Sequence, residues 1–144
     1  METFYLYMRK VMAFGTFDVL HPGHVKYLEA ARALGDYLVV IVTTDKNVEK
    51  FKGKKPVYPQ DERAQIVGAL RCVDEAVVGF EDDFYRTIAE NKPSVLALGH
   101  DMRESDSEVR SECRKTGVEC EVVRIPAFMP EKHKSSEIKK KIRE

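Results

Sequence analysis

Residues 11–42, VMAFGTFDVLHPGHVKYLEAARALGDYLVVIV, decide how the rest of the chain is read. Residues 11–14 form a short apolar run of strand length, and residues 38–42 (LVVIV) form a stronger one rich in β-branched side chains. Between them Val25, Leu28, Ala31 and Leu34 recur at helical spacing, so a helix is expected over residues 22–34. Pro22 suits its first turn and Gly35 is a natural stop. The run at 38–42 has no polar face, which predicts a central parallel strand covered on both sides. Strand, helix and parallel strand make one βαβ unit with a right-handed crossover.

The alternation continues outward. Residues 43–59 are rich in lysine, carry Gly53, Pro56 and Pro59 and show little period, which predicts a loop with at most a fragment of helix. A second helix is expected over 60–70, with Asp61 and Glu62 in the first turn where the helix dipole favours acids. A short strand at 76–78, a helix at 84–90 before Pro93, and a strand at 95–98 ending on Gly99-His100-Asp101 follow. A charged surface helix at 104–116 is closed by Gly117, and residues 119–125 alternate as a later strand. Residues 126–134 read as a loop before a last helix with Ile138 and Ile142 on one face. This pattern defines an α/β fold: a single small Rossmann-like open parallel sheet sandwiched by helices.

The chain has 144 residues, 43% hydrophobic and 33% charged, which fits one compact globular domain. That domain is expected at residues 8–144, with 1–7 as an N-terminal extension. Lys plus Arg and Asp plus Glu balance at 24 each, which argues against a bulk electrostatic binder of nucleic acid but not against a local anion site. The neutral total hides an uneven arrangement. Residues 101–112 hold five acids against two bases, residues 130–144 hold six bases against three acids, and Lys46, Lys50, Lys52, Lys54 and Lys55 cluster in one segment. No run approaches the roughly 18 apolar residues of a membrane span, and the start lacks a small-residue cleavage site. Cys72, Cys113 and Cys120 cannot all pair within the chain and none sits in a C-x-x-C arrangement. Free thiols in a reducing cytoplasm are expected, and a cysteine zinc site is not.

Residues 15–24, GTFDVLHPGH, fall where an open α/β sheet places its ligands, at the carboxyl end of the first strand. Gly15 lets the backbone turn closely, and Gly23 leaves the helix amides uncovered for an approaching anion. His21 and His24 are three apart, share one face and can donate hydrogen bonds to a phosphate oxygen. A single histidine here is more often a cap or a surface residue, whereas a pair bounding Pro-Gly directly after a buried strand is much rarer by chance. Zinc would need a third strong ligand, which no nearby Cys or His-Glu pattern supplies. The segment is neither the dinucleotide fingerprint nor the P-loop, because the glycine spacing and Gly-Lys-Ser/Thr are absent.

Gly15-Thr16-Phe17-Asp18 followed by His21-Pro22-Gly23-His24 resembles the signature of the HxGH nucleotidyltransferases, in particular their cytidylyltransferase-like branch. That branch includes archaeal-type FAD synthases and glycerol-3-phosphate cytidylyltransferases. The likeness extends through Gly53-Lys54-Lys55-Pro56, Asp61-Glu62-Arg63, Leu70-Arg71-Cys72-Val73-Asp74 and Leu98-Gly99-His100-Asp101 to Ser135-Ser136-Glu137-Ile138. It implies that an acceptor phosphate attacks the α-phosphorus of a nucleoside triphosphate in line and pyrophosphate leaves. A phosphate nucleophile is already anionic at pH 7, so catalysis rests on positioning and charge stabilisation rather than on a strong base.

The resemblance assigns His21 and His24 to the reacting phosphate oxygens and Lys55 and Arg63 to phosphate neutralisation. It places Gly15, Thr16, Phe17, Asp18 and Gly23 in the nucleotide-binding loop and Gly99, His100 and Asp101 beside base and ribose. Ser135 and Ser136 cap the last helix, and a capped helix start is also an anion site. Relatives sometimes carry an arginine before that serine motif; this chain has Lys132, His133 and Lys134, with Lys134 the candidate substitute. A divalent cation, Mg2+, is implied with the triphosphate, and no protein ligands are assigned to it. GKKP and the Pro-x-Asp-Glu-Arg pattern look most like an archaeal-type FAD synthase, joining ATP to FMN. CTP with glycerol 3-phosphate comes second and a sugar phosphate third. The resemblance implies a homodimer, while the charge balance and the lack of a long apolar run predict no nucleic-acid or membrane partner.

Overall fold

Successive side chains of a strand point to opposite faces, and in this chain both faces are apolar. The computed structural model describes residues 8–81, 83–128 and 139–142. Its strands are β1 (Lys10–Gly15), β2 (Tyr37–Val42), β3 (Glu75–Val78), β4 (Val95–Gly99) and β5 (Glu121–Ile125). They form one sheet in the order β3-β2-β1-β4-β5, with every neighbouring pair parallel. Val11, Ala13, Leu38, Val40, Val42, Val95 and Ala97 enter one core, while Met12, Val39, Ile41, Leu96 and Leu98 enter the other. The helices are α1 (Pro22–Arg32), α2 (Asp45–Lys52), α3 (Gln60–Gly68), α4 (Phe84–Asn91) and α5 (Asp106–Lys115). Leu28, Ala31 and Val67 of α1 and α3 cover the first face; Ile88, Val109 and Cys113 of α4 and α5 cover the second. The fold is the expected one, a small open parallel sheet sandwiched by helices.

Local chemistry sets the ends of these elements. α2 is a full eight-residue helix where little more than a fragment is expected. Thr44 accepts from the Asn47 N–H at 3.2 Å to open it, and Gly53 closes it in the left-handed region at φ 71°. Only Val48 of this helix is buried, so the apolar period is too thin to announce it. Gly35 follows α1 without a left-handed turn; a Cβ there would lie 2.3 Å from the Arg9 carbonyl, so the backbones meet too closely for any side chain. α5 starts later than expected because Ser105, accepting from Glu108 N–H at 3.1 Å, is its cap. Gly117 follows it at φ 82°. Cys72, Cys113 and Cys120 are free thiols, and burial pushes the Cys113 thiol up to about 12. Among the described residues no helix is long and apolar enough to cross a membrane. Residues 1–7, Lys134, Ser135, Ser136 and Ile138 lie outside the described residues; residues 139–142 are helical.

The chain leaves β1 toward β2 and β3, then returns to the other side of β1 for β4 and β5. The direction of winding reverses between β1 and β4, and the crevice beyond their carboxyl ends is the natural ligand position of such a sheet.

Candidate active site

A cleft of about 1010 Å³ opens at that reversal. The stretch from the end of β1 into the first turn of α1 contributes Gly15, Thr16, Phe17, Asp18, His21, Gly23 and His24, and the end of β4 with the loop after it contributes Gly99, His100 and Asp101. Phe51 of α2, Phe80 after β3 and Phe128 after β5 also line it while remaining exposed, so its rim is aromatic.

The two histidines are held by the helix end they open. The His21 Nδ1 accepts from the Gly23 N–H at 3.0 Å, and the His24 Nδ1 accepts from the His21 N–H at 3.2 Å, a reciprocal capping box. A ring nitrogen that accepts a backbone N–H carries no proton, so each neutral imidazole keeps its proton on Nε2. The cap therefore fixes the tautomer of each neutral ring, with its proton on Nε2, and the ring centroids are 3.9 Å apart. Burial, then the neighbouring His21 and Lys52 charges, pull His24 down to about 4, against a smaller opposite pull from Asp101. His24 is neutral at pH 7 and presents its donor beside the positive end of α1.

Backbone strain sits next to this pair. Phe17 is a non-glycine residue at φ 52°, and its buried ring meets His24 edge-on at 5.5 Å and stacks on Tyr27 at 6.5 Å. That ring occupies the space a side chain at position 15 would need, since a Cβ on Gly15 would come within 2.7 Å of it.

The remaining expected residues divide by placement. Asp18 is buried and its carboxylate accepts from Val57 N–H (2.8 Å), Tyr58 N–H (2.9 Å) and the Lys139 ammonium. Burial alone would raise its pKa; the hydrogen bonds from Lys139, Tyr58 and Val57 outweigh that and hold it below the ordinary value. Arg63 has no exposed surface. Its guanidinium donates to Tyr58 O at 2.9 Å, Thr16 O at 2.8 Å and Asp45 Oδ1 at 2.7 Å. Lys55 is exposed and lies outside the cleft lining. The cations that line the cleft are instead Lys50, Lys52, Arg103 and Lys139. Burial, reinforced by the Lys139 charge, lowers the Lys52 pKa from its ordinary value. Lys52 and Lys139 carried no distinguishing mark among many lysines, because only the C-terminal turn of α2 and the terminal helix bring them to the cleft.

The opposite wall rests on a residue that no motif announces. Arg124 of β5 donates to Gly99 O (2.9 Å), Met102 O (3.0 Å), Glu104 O (2.6 Å) and Asp106 Oδ1 (3.0 Å). It gathers the carbonyls of the loop that carries His100 and Asp101. Among the described residues no three His, Cys, Asp or Glu converge as a metal cage. Asp101 lines the cleft, and a magnesium ion carried in on phosphates needs only one or two carboxylates from protein.

Comparison with known proteins agrees with this geometry. Residues 12–141 match the cytidylyltransferase-like family. An FAD synthase of Picrophilus torridus is 44% identical over 133 residues, which is 92% of this chain and 95% of the relative. An FAD synthase of Ferroglobus placidus is 52% identical over 120 residues, 83% of this chain and 78% of the relative. Among solved structures, a lipopolysaccharide core biosynthesis protein from Thermoplasma volcanium superposes with a TM-score of 0.81 at 38% identity, covering 84% of this chain and 98% of that one. A pantoate-beta-alanine ligase from Francisella tularensis, at 17% identity and a TM-score of 0.60, shares the fold alone.

Proposed function

The chain belongs to the cytidylyltransferase-like family, and from that membership together with the cleft we propose that it is an FAD synthase, transferring AMP from ATP to FMN. The observation that carries this is the run of FAD synthase relatives between 38% and 52% identical over most of the chain. The cleft supports it, because a wide crevice with an aromatic rim suits a planar flavin and an adenine better than a small polar acceptor.

In the reaction an FMN phosphate oxygen bonds to the α-phosphorus of ATP, the bond from that phosphorus to the bridging oxygen breaks, and pyrophosphate leaves with the electron pair. No proton must be removed from the nucleophile, so the chain's task is to align the groups and absorb charge. The Nε2–H donors of His21 and His24 hold the α-phosphate oxygens at the amino end of α1. Lys52 and Lys139 supply positive charge to the triphosphate, and Gly99, His100 and Asp101 border the ribose. Arg63 acts one step back, fixing the Thr16 and Tyr58 carbonyls that shape the loop. Asp101 is the cleft carboxylate that would hold a magnesium ion, which would supply charge neutralisation to the triphosphate.

Crossing ATP and CTP with FMN, glycerol 3-phosphate and sugar 1-phosphates tests this directly. FAD forms only from ATP and FMN; CDP-glycerol from CTP in the absence of FAD formation would replace the assignment. Sedimentation of the same sample tests the homodimer that the resemblance implies.

A further inference from the structure

The hydroxyl of Tyr27 touches both strands at the point where the winding reverses. It accepts from the Phe14 N–H of β1 at 3.1 Å and donates to the Ala97 carbonyl of β4 at 2.6 Å. Ala13 and Ala97 are the last register partners of this strand pair, so the hydroxyl lies where pairing ends and the cleft begins. Desolvation by burial raises the phenol's pKa well above its ordinary value, so it stays protonated and the donation to Ala97 persists at any working pH. Tyr27 is also three residues beyond His24 on α1, on the same face of the helix. Its ring stacks on Phe17, whose ring in turn meets His24.

One side chain thus joins three parts of the site: the helix bearing the histidines, the strand leading into Gly15, and the strand leading into Gly99-His100-Asp101. We infer that Tyr27 is a positioning residue, which sets His24 at a fixed distance from the loop after β4 through the Phe14–hydroxyl–Ala97 bridge and the Phe17 ring. Catalysis by alignment is sensitive to such spacing, since a displacement of about 1 Å can cost about 100-fold in rate. Tyr27 also lines the cleft, so a direct contact with the nucleotide is the competing role, and the two differ in what they do to kinetics. A lost contact raises KM at constant kcat, whereas lost alignment lowers kcat at nearly constant KM.

The test is Tyr27→Phe, which keeps the ring and removes only the hydroxyl. The kcat for FAD formation is expected to fall at least about 10-fold, with KM for ATP and FMN within about threefold and the melting temperature still far above the assay temperature. A kcat within about twofold of wild type, or a raised KM at unchanged kcat, overturns the inference. Phe17→Leu, which leaves the hydroxyl bridge and removes the ring between Tyr27 and His24, is the second variant and should show the same split; unchanged kcat there counts against it equally. These kinetic arms rest on the FAD synthase assignment. A third does not: NMR titration of His24, whose charged surroundings are His21, Lys52 and Asp101, should move by more than about half a unit in Tyr27→Phe as the ring is freed toward water. A wild-type protein that makes no FAD sinks the assignment alone, and an unmoved His24 titration sinks the positioning role alone.

Discussion

The two walls of the cleft are each tied by one arginine, and they differ in what the arginine reaches. On the β1 side Arg63 is fully buried and joins Thr16, Tyr58 and Asp45, and Asp18 adds Val57, Tyr58 and Lys139 to the same clamp. On the β4 side Arg124, its side chain 26% exposed, joins Gly99, Met102, Glu104 and Asp106. Both satisfy loop carbonyls that would otherwise need water, and a planar guanidinium with five donors is suited to doing so. The first clamp fastens segments scattered along the chain, so that wall moves as a unit or not at all. The second fastens a short loop to the adjacent strand and can loosen without disturbing the rest of the fold. The histidines belong to the rigid wall, and the residues assigned to base and ribose belong to the adjustable one.

The largest expected effect isolates the rigid wall's chemistry from its structure. His24→Ala should lower turnover by about 100-fold or more, the scale seen when one donor to a developing oxyanion is removed. His21→Asn goes further, because asparagine is a good helix cap and keeps an acceptor for Gly23 N–H. It should retain the melting temperature while losing comparable turnover. Wild-type rates in both variants would remove the histidines from the mechanism and leave them as caps.

Next comes the contrast between the arginines. Arg63→Met strands buried carbonyls at Thr16 and Tyr58 and should cost about 3 kcal/mol of unfolding free energy, as for breaking a buried charged network. Arg124→Met, partly open to water, should cost about 1–2 kcal/mol while raising KM for ATP through a loosened loop. Urea denaturation with steady-state kinetics on both variants measures this. Equal stability losses would break the distinction between the walls. A smaller step follows from the lysines: Lys52→Met should raise KM for ATP about 10-fold and Lys55→Met less than about twofold, because only Lys52 lines the cleft.

The placement of the histidines at the end of the first strand was legible in the sequence because its signals are local. A buried strand, a glycine, and two histidines around Pro-Gly at a helix start lie within 14 residues, from Val11 to His24. Five strands were legible for the same reason, since apolar runs flanked by turn residues need no distant partner to be recognised. The resemblance points to Arg63, but in sequence an arginine that binds phosphate cannot be told from one that binds carbonyls, and its partners Thr16 and Tyr58 appear only in the fold. Arg124 sits in an alternating strand where a polar residue looks like the solvent face, and its four partners lie 18 to 25 residues earlier in the chain. The resemblance points to Lys55, whereas the αL cap at Gly53 ends α2 between Lys52 and Lys55 and separates their surroundings.

The smallest predicted effect tests whether the rigid wall excludes water. His24 is held at about 4, below the ordinary 6.5. Between those values the unfolded chain binds a proton that the native chain does not, so stability rises with pH across the window. The stabilisation is fully present above 6.5 and is lost as pH falls toward 4. Asp18 does not titrate in the same window, since its carboxyl is held below 3.8 and its contribution is lost only at lower pH. Melting temperatures should therefore decline on the acid side of 6.5, and His24→Gln, which cannot titrate there, should flatten that decline. The two arginine variants then separate the walls once more. Arg63→Met loosens the wall around the imidazole, hydrates it and should make the decline shallower, while Arg124→Met should leave it at the wild-type slope. An unaltered slope in His24→Gln would mean that water reaches the ring already, and the rigid wall would lose the property that distinguishes it from the other.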